Sequence, residues 1–150
     1  MSTTYTEKVG NKLNELLEKS YDAEKGYHKA AENAKSPDLK GYFERKSKER
    51  NQFGHALKSE IRNYGQEVDK GGSAAGSMHR AWMDVKAFFS ADNDESMLEA
   101  AITGEKAAVD DYEDVLKETN LPPSTATLLT SQVSQIKNDL ATIKSLEDLA

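Results

Sequence analysis

The sequence predicts an all-α fold in which two αα-hairpins form a four-helix bundle, with a short crossover helix between helices two and three. Apolar residues recur at alternating gaps of three and four in four long stretches, which is the spacing of a bundle helix. Two short proline-containing turns join these stretches in pairs, and one long segment separates the pairs. At 150 residues the chain has the length of one domain, so we predict a single domain over residues 1–150.

The composition excludes several classes of function. The chain has no cysteine, which excludes a disulfide framework, a thiolate nucleophile and a cysteine-ligated metal site. Its formal net charge of -6 argues against non-specific nucleic-acid binding, which requires a basic surface. No run of apolar residues is long enough to span a membrane, and the first ten residues lack the basic and then apolar pattern of a secretory signal. A cytoplasmic location is the resulting expectation.

The first two predicted helices form one hairpin. Ser36 is placed to cap the second helix, Pro37 lies in its first turn, and the helix is predicted to end at Gly65. Because the turn is short, the two helices should be antiparallel neighbours. Their apolar stripes comprise Leu13, Leu16, Leu17, Tyr27, Ala30, Ala31 and Ala34 in helix one, and Leu39, Tyr42, Phe43, Phe53, Ala56, Leu57, Ile61 and Tyr64 in helix two.

The third and fourth predicted helices form the other hairpin, around the turn at Pro122-Pro123-Ser124. Helix three begins at the segment Asp92-Asn93-Asp94, which is rich in residues that cap helices. These two helices should also be antiparallel neighbours. Their apolar stripes comprise Leu98, Ala101, Ile102, Ala108, Val109, Tyr112, Val115 and Leu116 in helix three, and Leu128, Leu129, Val133, Ile136, Leu140 and Ile143 in helix four.

A long segment, residues 65–92, connects the two hairpins, and a structureless loop of that length is unusual in a compact domain. A glycine-rich stretch at residues 71–76 is followed by an apolar segment, Met78 to Phe89, which contains the only tryptophan, Trp82. We predict a short helix there that caps or crosses the bundle. Two hairpins joined by one long crossover form the ferritin-like arrangement rather than a simple up-down-up-down bundle.

Polar side chains interrupt the apolar stripes near the middle of each helix. They comprise Ser20 and Glu24 in helix one, Lys46, Glu49 and Gln52 in helix two, Glu105 in helix three, and Gln132 and Gln135 in helix four. A carboxylate in a bundle core is costly to desolvate, so Glu49 and Glu105 require a partner. Three kinds of partner would serve: a metal ion, a cationic side chain such as Lys46, or a network of amide and tyrosine hydrogen bonds.

The spacing of these residues bears on the metal alternative. Di-metal carboxylate bundles use one Glu from each of two helices and Glu-x-x-His from each of the other two. In this chain Gln52 and Gln135 replace the histidines, and Gln132 replaces a carboxylate, which argues against a redox di-iron centre. Carboxylate and amide oxygens suit one hard divalent ion better. The candidate metal ligands are Glu24, Glu49, Gln52, Glu105 and Gln132.

Helix two also carries a local basic cluster of Arg45, Lys46, Lys48 and Arg50. We interpret most of this cluster as a solvated helix face with intrahelical ion pairs. The sequence contains no nucleophile elbow, P-loop or dinucleotide-binding motif. It therefore predicts no catalytic residue.

Four segments carry a resemblance to a known family: Asp22-Ala-Glu-Lys-Gly-Tyr27, Glu49-Arg-Asn-Gln52, Met78-His-Arg-Ala-Trp82 and Leu98-Glu-Ala-Ala-Ile-Thr-Gly-Glu105. On these segments the chain resembles an uncharacterised bacterial family of ferritin-like four-helix bundles, a domain of unknown function. The resemblance implies the ferritin-like fold and no established activity. More distantly, Glu105 followed two turns later by Tyr112 is similar to the glutamate-and-tyrosine helix of rubrerythrin-like proteins.

Three hypotheses about function follow. The first is a non-catalytic bundle whose core polar layer is structural or holds one divalent ion. The second is a degenerate di-iron oxidase with Glu24, Glu49 and Glu105 as metal ligands. The third is an interaction module that forms a homo-oligomer or binds a protein partner through an exposed face of the bundle.

Overall fold

The computed structural model of the chain describes residues 3–66, 94–118 and 121–149, and every regular element within these ranges is an α-helix. Helix α1 spans Thr3–Asn33, α2 spans Pro37–Asn63, α3 spans Asp94–Glu118 and α4 spans Pro123–Leu149. The prediction of four long helices is therefore confirmed. The predicted crossover helix at Met78 to Phe89, with Trp82, lies outside the described residues. Of the helices described, none has both the length and the apolar character needed to cross a membrane.

The turn between α1 and α2 is built as the sequence predicts. The hydroxyl of Ser36 accepts a hydrogen bond of 3.5 Å from the backbone N–H of Leu39, and Pro37 occupies the first turn of α2. Such a cap satisfies one of the backbone donors that a helix leaves free at its start. At the other end of α2, Gly65 has a φ of 70°, a left-handed conformation that favours glycine and ends the helix.

Helices α1 and α3 run antiparallel to each other. The side chain of Lys19 contacts Asp111, and that of Tyr27, further along α1, contacts Glu105, which comes earlier in α3. The opposite order of the partners along the two helices defines the direction.

Helices α2 and α4 are also antiparallel. Lys46 pairs with Asp139, and Tyr64, near the end of α2, meets Thr125, near the start of α4. Since α1 and α2 form a hairpin across a short turn, α2 and α3 must run in the same direction. The four helices therefore point up, down, down and up in chain order.

The two ends of the undescribed connection between α2 and α3 lie at opposite ends of the bundle. Gln66, just after α2, packs against Gly10 near the start of α1. Asp94, the first residue of α3, accepts hydrogen bonds of 2.9 Å from the backbone N–H groups of Lys35 and Ser36, just after α1. The 27 residues of α2 alone give a separation of about 40 Å at 1.5 Å per residue.

The apolar core consists of two clusters, one toward each end of the bundle. The first cluster contains Ala23, Tyr27, Ala30, Ala31, Ala34, Leu39, Tyr42, Phe43, Met97, Leu98, Ala100, Ala101 and Ile143. The second contains Val9, Leu13, Leu16, Leu17, Phe53, Leu57, Ile61, Ala108, Tyr112, Val115, Leu129, Val133 and Ile136. In every helix a polar position separates the two clusters: Ser20 in α1, Lys46 and Arg50 in α2, Glu105 in α3 and Asp139 in α4. These five residues, which we call the polar layer, are the candidate functional site.

Candidate functional site

Glu105 lies at the centre of the polar layer and is completely buried. Its Oε1 atom accepts a hydrogen bond of 2.7 Å from the hydroxyl of Tyr27 and a charged hydrogen bond from the guanidinium of Arg50. Its Oε2 atom lies 3.3 Å from the ammonium nitrogen of Lys46. Residues of α1, α2 and α3 therefore meet at one carboxylate.

The electrostatics of this group keep it ionised. Burial alone would raise the pKa of Glu105, but the charges of Arg50 and Lys46 and the hydrogen bond from Tyr27 outweigh it and hold the pKa below its usual range. Burial would lower the pKa of Arg50, but the charge of Glu105 outweighs it, so the guanidinium stays protonated. Burial, together with the nearby Glu105, raises the pKa of Tyr27 well above its ordinary value, so its hydroxyl remains a donor.

Lys46 is the second cation of the layer, and its side chain is only 3% exposed. Its ammonium nitrogen lies 2.5 Å from Glu49 Oε2, 2.5 Å from Asp139 Oδ2 and 3.3 Å from Glu105 Oε2. A lysine ammonium has three N–H donors, so each of them has a carboxylate acceptor. Lys46 thereby connects α2 to both α3 and α4.

Glu49 and Asp139 form the half-buried edge of this cluster. Burial and a hydrogen bond with Asp139 raise the pKa of Glu49 to about 7, against the opposing effect of Lys46. Burial would raise the pKa of Asp139, but its hydrogen bond with Glu49 and the charge of Lys46 lower it. Of the two carboxyls, Glu49 therefore holds a proton more readily than Asp139.

The raised pKa of Glu49 predicts that the free energy of unfolding falls as the pH rises. An acid whose folded pKa lies above its unfolded value of 4.5 holds its proton more tightly in the folded state, so its contribution is lost between about pH 4.5 and 7. We expect a slope of up to about 1.4 kcal/mol per pH unit in the free energy of unfolding over that window. Asp139 acts in the opposite sense and at lower pH, because its pKa is lowered.

Urea denaturation between pH 4.5 and 8 measures this slope. In Glu49→Gln the side chain is permanently neutral, so the slope due to residue 49 should disappear. Glu113→Gln, which removes an exposed carboxylate, serves as the matched control and should keep it. Parallel curves for the wild type and Glu49→Gln would contradict the assignment.

A neutral pair, Tyr112 and Gln132, lies next to the charged cluster. The hydroxyl of Tyr112 donates a hydrogen bond of 2.6 Å to the side-chain oxygen of Gln132, whose nitrogen donates to the backbone oxygen of Phe53 at 3.4 Å. Burial raises the pKa of Tyr112 to about 12, and the buried Ser20 lies beside it. Gln132 therefore uses its amide to join α3, α4 and α2.

The five predicted metal ligands do not all meet at one site in the structure. Glu49 and Glu105 come together, because both contact Lys46. Gln132 is buried, but its amide is engaged by Tyr112 and Phe53.

The other two lie away from the core. Glu24 is half-exposed and accepts a hydrogen bond of 3.2 Å from Asn51. Gln52 is exposed and lines a groove of about 390 Å³ between α2 and α4. Among the residues described, no three His, Asp or Glu side chains are arranged to hold a metal ion.

The residues present do not fit a di-metal centre of the kind that carboxylate bundles hold. The oxygens of Glu105 are engaged by the guanidinium of Arg50, the ammonium of Lys46 and the hydroxyl of Tyr27. A divalent ion bound there would face two side-chain cations at close range, which is electrostatically unfavourable. At the same level of α1, the residue beside Tyr112 is Ser20 rather than a carboxylate.

Sequence reasoning missed Arg50 and Asp139. Arg50 was interpreted with the solvated basic cluster, but only 2% of its surface is exposed. It stands four residues after Lys46 and three before Phe53, so the heptad spacing of the stripe could have placed it inside. Asp139 lies between Ile136 and Ile143 at gaps of three and four, but the apolar spacing predicts its neighbour Leu140 in the stripe of helix four.

A groove between α2 and α4 lies beside this edge of the layer. It is lined by Arg45, Lys48, Glu49, Gln52, Phe53, Ser131 and Gln135. The side chains of Glu49 and Asp139 are 18% and 15% exposed, so solvent reaches the layer here. The layer is thus closed toward α1 and accessible at the α2–α4 seam.

Comparison with known proteins gives a family but no activity. A search of curated proteins finds no match. The model of a family described as a domain of unknown function (DUF2383) matches residues 8–118, which is more than half of the chain. The match includes Tyr27, Lys46, Arg50 and Glu105, and it ends before Asp139. This chain therefore belongs to that family of unknown function.

Proposed function

We propose that this chain is a ferritin-like bundle protein with a non-catalytic role, in which the polar layer is a structural ion-pair network that works without metal. This proposal rests on one observation, the set of partners that contact Glu105 in the core. A completely buried carboxylate already has two side-chain cations and one hydroxyl donor as partners. No further ligand is needed to compensate its charge.

The ferritin-like part of the proposal is supported by the helix directions. The order up, down, down, up requires one connection that runs the length of the bundle, and ferritin-like folds have one such crossover. Gln66 and Asp94, which flank the connection, lie at opposite ends of the bundle. A short helix within the connection and a cytoplasmic location belong to the same proposal.

The role proposed for the layer is to fix how the helices align. Sliding α3 by one residue would move Glu105 by about 1.5 Å and rotate it by about 100° around the helix axis, away from Lys46 and Arg50. The carboxylate would then be buried without its cations, which is strongly unfavourable. Apolar contacts alone tolerate such shifts better, and buried polar groups are known to specify register in coiled coils.

The competing hypotheses assign metal to the same residues. One divalent ion would require Glu49 and Glu105, with amide oxygens of Gln52 or Gln132, to exchange their present partners for the ion. A degenerate di-iron oxidase would require Glu24 in addition, which is half-exposed on α1. Self-association remains a separate prediction, which the mass of the protein in solution at several concentrations would measure.

Elemental analysis and melting curves of the wild-type protein test the proposal. Protein purified without a metal-affinity tag should contain less than stoichiometric metal. Its melting temperature should not change in a saturable way with iron, zinc, manganese or calcium. A shift that saturates at one ion per chain would instead support the divalent site. Two irons per chain would support the oxidase.

A further inference from the structure

The ammonium of Lys46 joins three helices of the bundle. It lies between three carboxylates that come from three different helices, Glu49 of α2, Glu105 of α3 and Asp139 of α4, at 2.5, 3.3 and 2.5 Å. The three acceptors thus surround one positive charge, and that charge belongs to the chain itself.

We propose that Lys46 is a tethered cation, which takes the place of a free cation among Glu49, Glu105 and Asp139 and thereby makes the bundle independent of metal. This inference rests on the proposed structural function of the layer. It adds the chemical class of the group that the carboxylates require. That group is one compact cation, whether it is a side chain of the protein or a free ion.

The burial of Lys46 separates it from an ordinary surface lysine. Its side chain is 3% exposed, and its ammonium also lies 5.6 Å from the centre of the Tyr27 ring, a cation–π distance. Arg50, the other cation of the layer, binds only Glu105 among the three carboxylates. Arg50 therefore cannot compensate Glu49 and Asp139 when Lys46 is absent.

The site can be reached from solvent. Glu49 and Asp139 are partly exposed, and Glu49 lines the groove of about 390 Å³ between α2 and α4. A small cation can enter by this route once the lysine side chain is removed. In the wild type the same position is filled, so a free cation has no place there.

The Lys46→Ala variant tests the inference by chemical rescue. The probe is n-propylammonium, which replaces the lost Cγ, Cδ, Cε and Nζ atoms. We expect Lys46→Ala to melt below the wild type in buffer with a chelator. Saturating n-propylammonium should raise its melting temperature by about 5 °C or more.

Two matched variants control for charge and space. Lys46→Met removes the charge but fills most of the same volume, so n-propylammonium should not raise its melting temperature. Lys48→Ala removes an exposed lysine two residues away and should behave as the wild type in every buffer. Adding Glu105→Gln to Lys46→Ala should weaken the rescue, because one of the three acceptors loses its charge.

Each outcome decides the inference. If Lys46→Ala is folded and n-propylammonium does not stabilise it, the inference is wrong. If it is unfolded without the probe, circular dichroism on adding n-propylammonium replaces the melting curve, and failure to restore the helices also overturns the inference. Failure of the proposed function is distinguishable, since it would appear as a saturable metal effect on the wild type.

Discussion

Replacing Arg50 with methionine is expected to lower the free energy of unfolding by about 3–5 kcal/mol. The guanidinium is 2% exposed and pairs with Glu105, which is completely buried. Without it, Glu105 keeps only the more distant Lys46 and the hydroxyl of Tyr27 as partners. Breaking a buried pair from one side is costly because the remaining charge stays out of water. Urea denaturation, with circular dichroism as the readout, measures the loss.

Two comparisons identify the cause of this loss. Lys137→Met breaks an exposed pair with Glu113, in which the side chains are 53% and 39% exposed, and it should cost less than about 1 kcal/mol. Replacing Arg50 and Glu105 together by methionine removes both charges of the buried pair and leaves Lys46 with Glu49 and Asp139, so it should cost less than Arg50→Met alone. Equal losses for Arg50→Met and Lys137→Met would mean that the layer is not a stabilised ion-pair network.

Phe43→Ala is expected to lower the free energy of unfolding by about 3–5 kcal/mol through a different cause. Phe43 is completely buried beside the polar layer, and its ring stacks on Tyr27 with a centroid distance of 6.0 Å. It also meets Tyr42 edge to face at 5.8 Å. Removing the Phe43 ring leaves a cavity. It also removes a contact that holds the ring of Tyr27, whose hydroxyl donates to Glu105.

Phe43→Leu is the matched control, because it keeps much of the volume and should cost less than about 1.5 kcal/mol. Denaturant titration of both variants at one pH measures the difference. A loss below 1 kcal/mol for Phe43→Ala would show that the neighbouring side chains close the space without strain, and that the aromatic contact does not support the layer.

The helices could be predicted because their signals are local. Ser36, Pro37 and Gly65 act on the backbone within one turn, and all three mark the ends of α2 as expected. Apolar spacing likewise identifies each buried face from neighbours along the same helix. The antiparallel pairing within each hairpin follows from short turns and needs no information about distant residues.

The partners in the polar layer could not be predicted in the same way. Periodicity identifies the buried face of a helix, but a small rotation of the helix decides whether a residue at the edge of that face lies in the core or in a groove. Glu24 and Gln52 are predicted as metal ligands, but Glu24 is half-exposed and Gln52 is exposed. Arg50 and Asp139 belong to the layer because their charged side chains reach partners on other helices.

The sequence predicts that the buried carboxylates have a compensating partner, but it does not predict which group that partner is. Glu49 and Glu105 clearly required compensation, and Lys46 was one of three kinds of partner left open. The sequence gives no distance between α2, α3 and α4, so it could not rank a lysine three residues away against a metal ion. The distances of Lys46 to three carboxylates supply that missing information.

The arrangement of the two hairpins also has a kinetic consequence. Each hairpin closes across a short turn, whereas the contacts between hairpins require the ends of the connection, Gln66 and Asp94, to settle at opposite ends of the bundle. Local contacts form early because they close short loops, so the hairpins should precede their association. Contacts that form after the transition state govern the rate of unfolding rather than that of folding. The contact between Lys46 and Glu105, which joins the hairpins, would then determine the lifetime of the folded state through the unfolding rate, and not the folding rate.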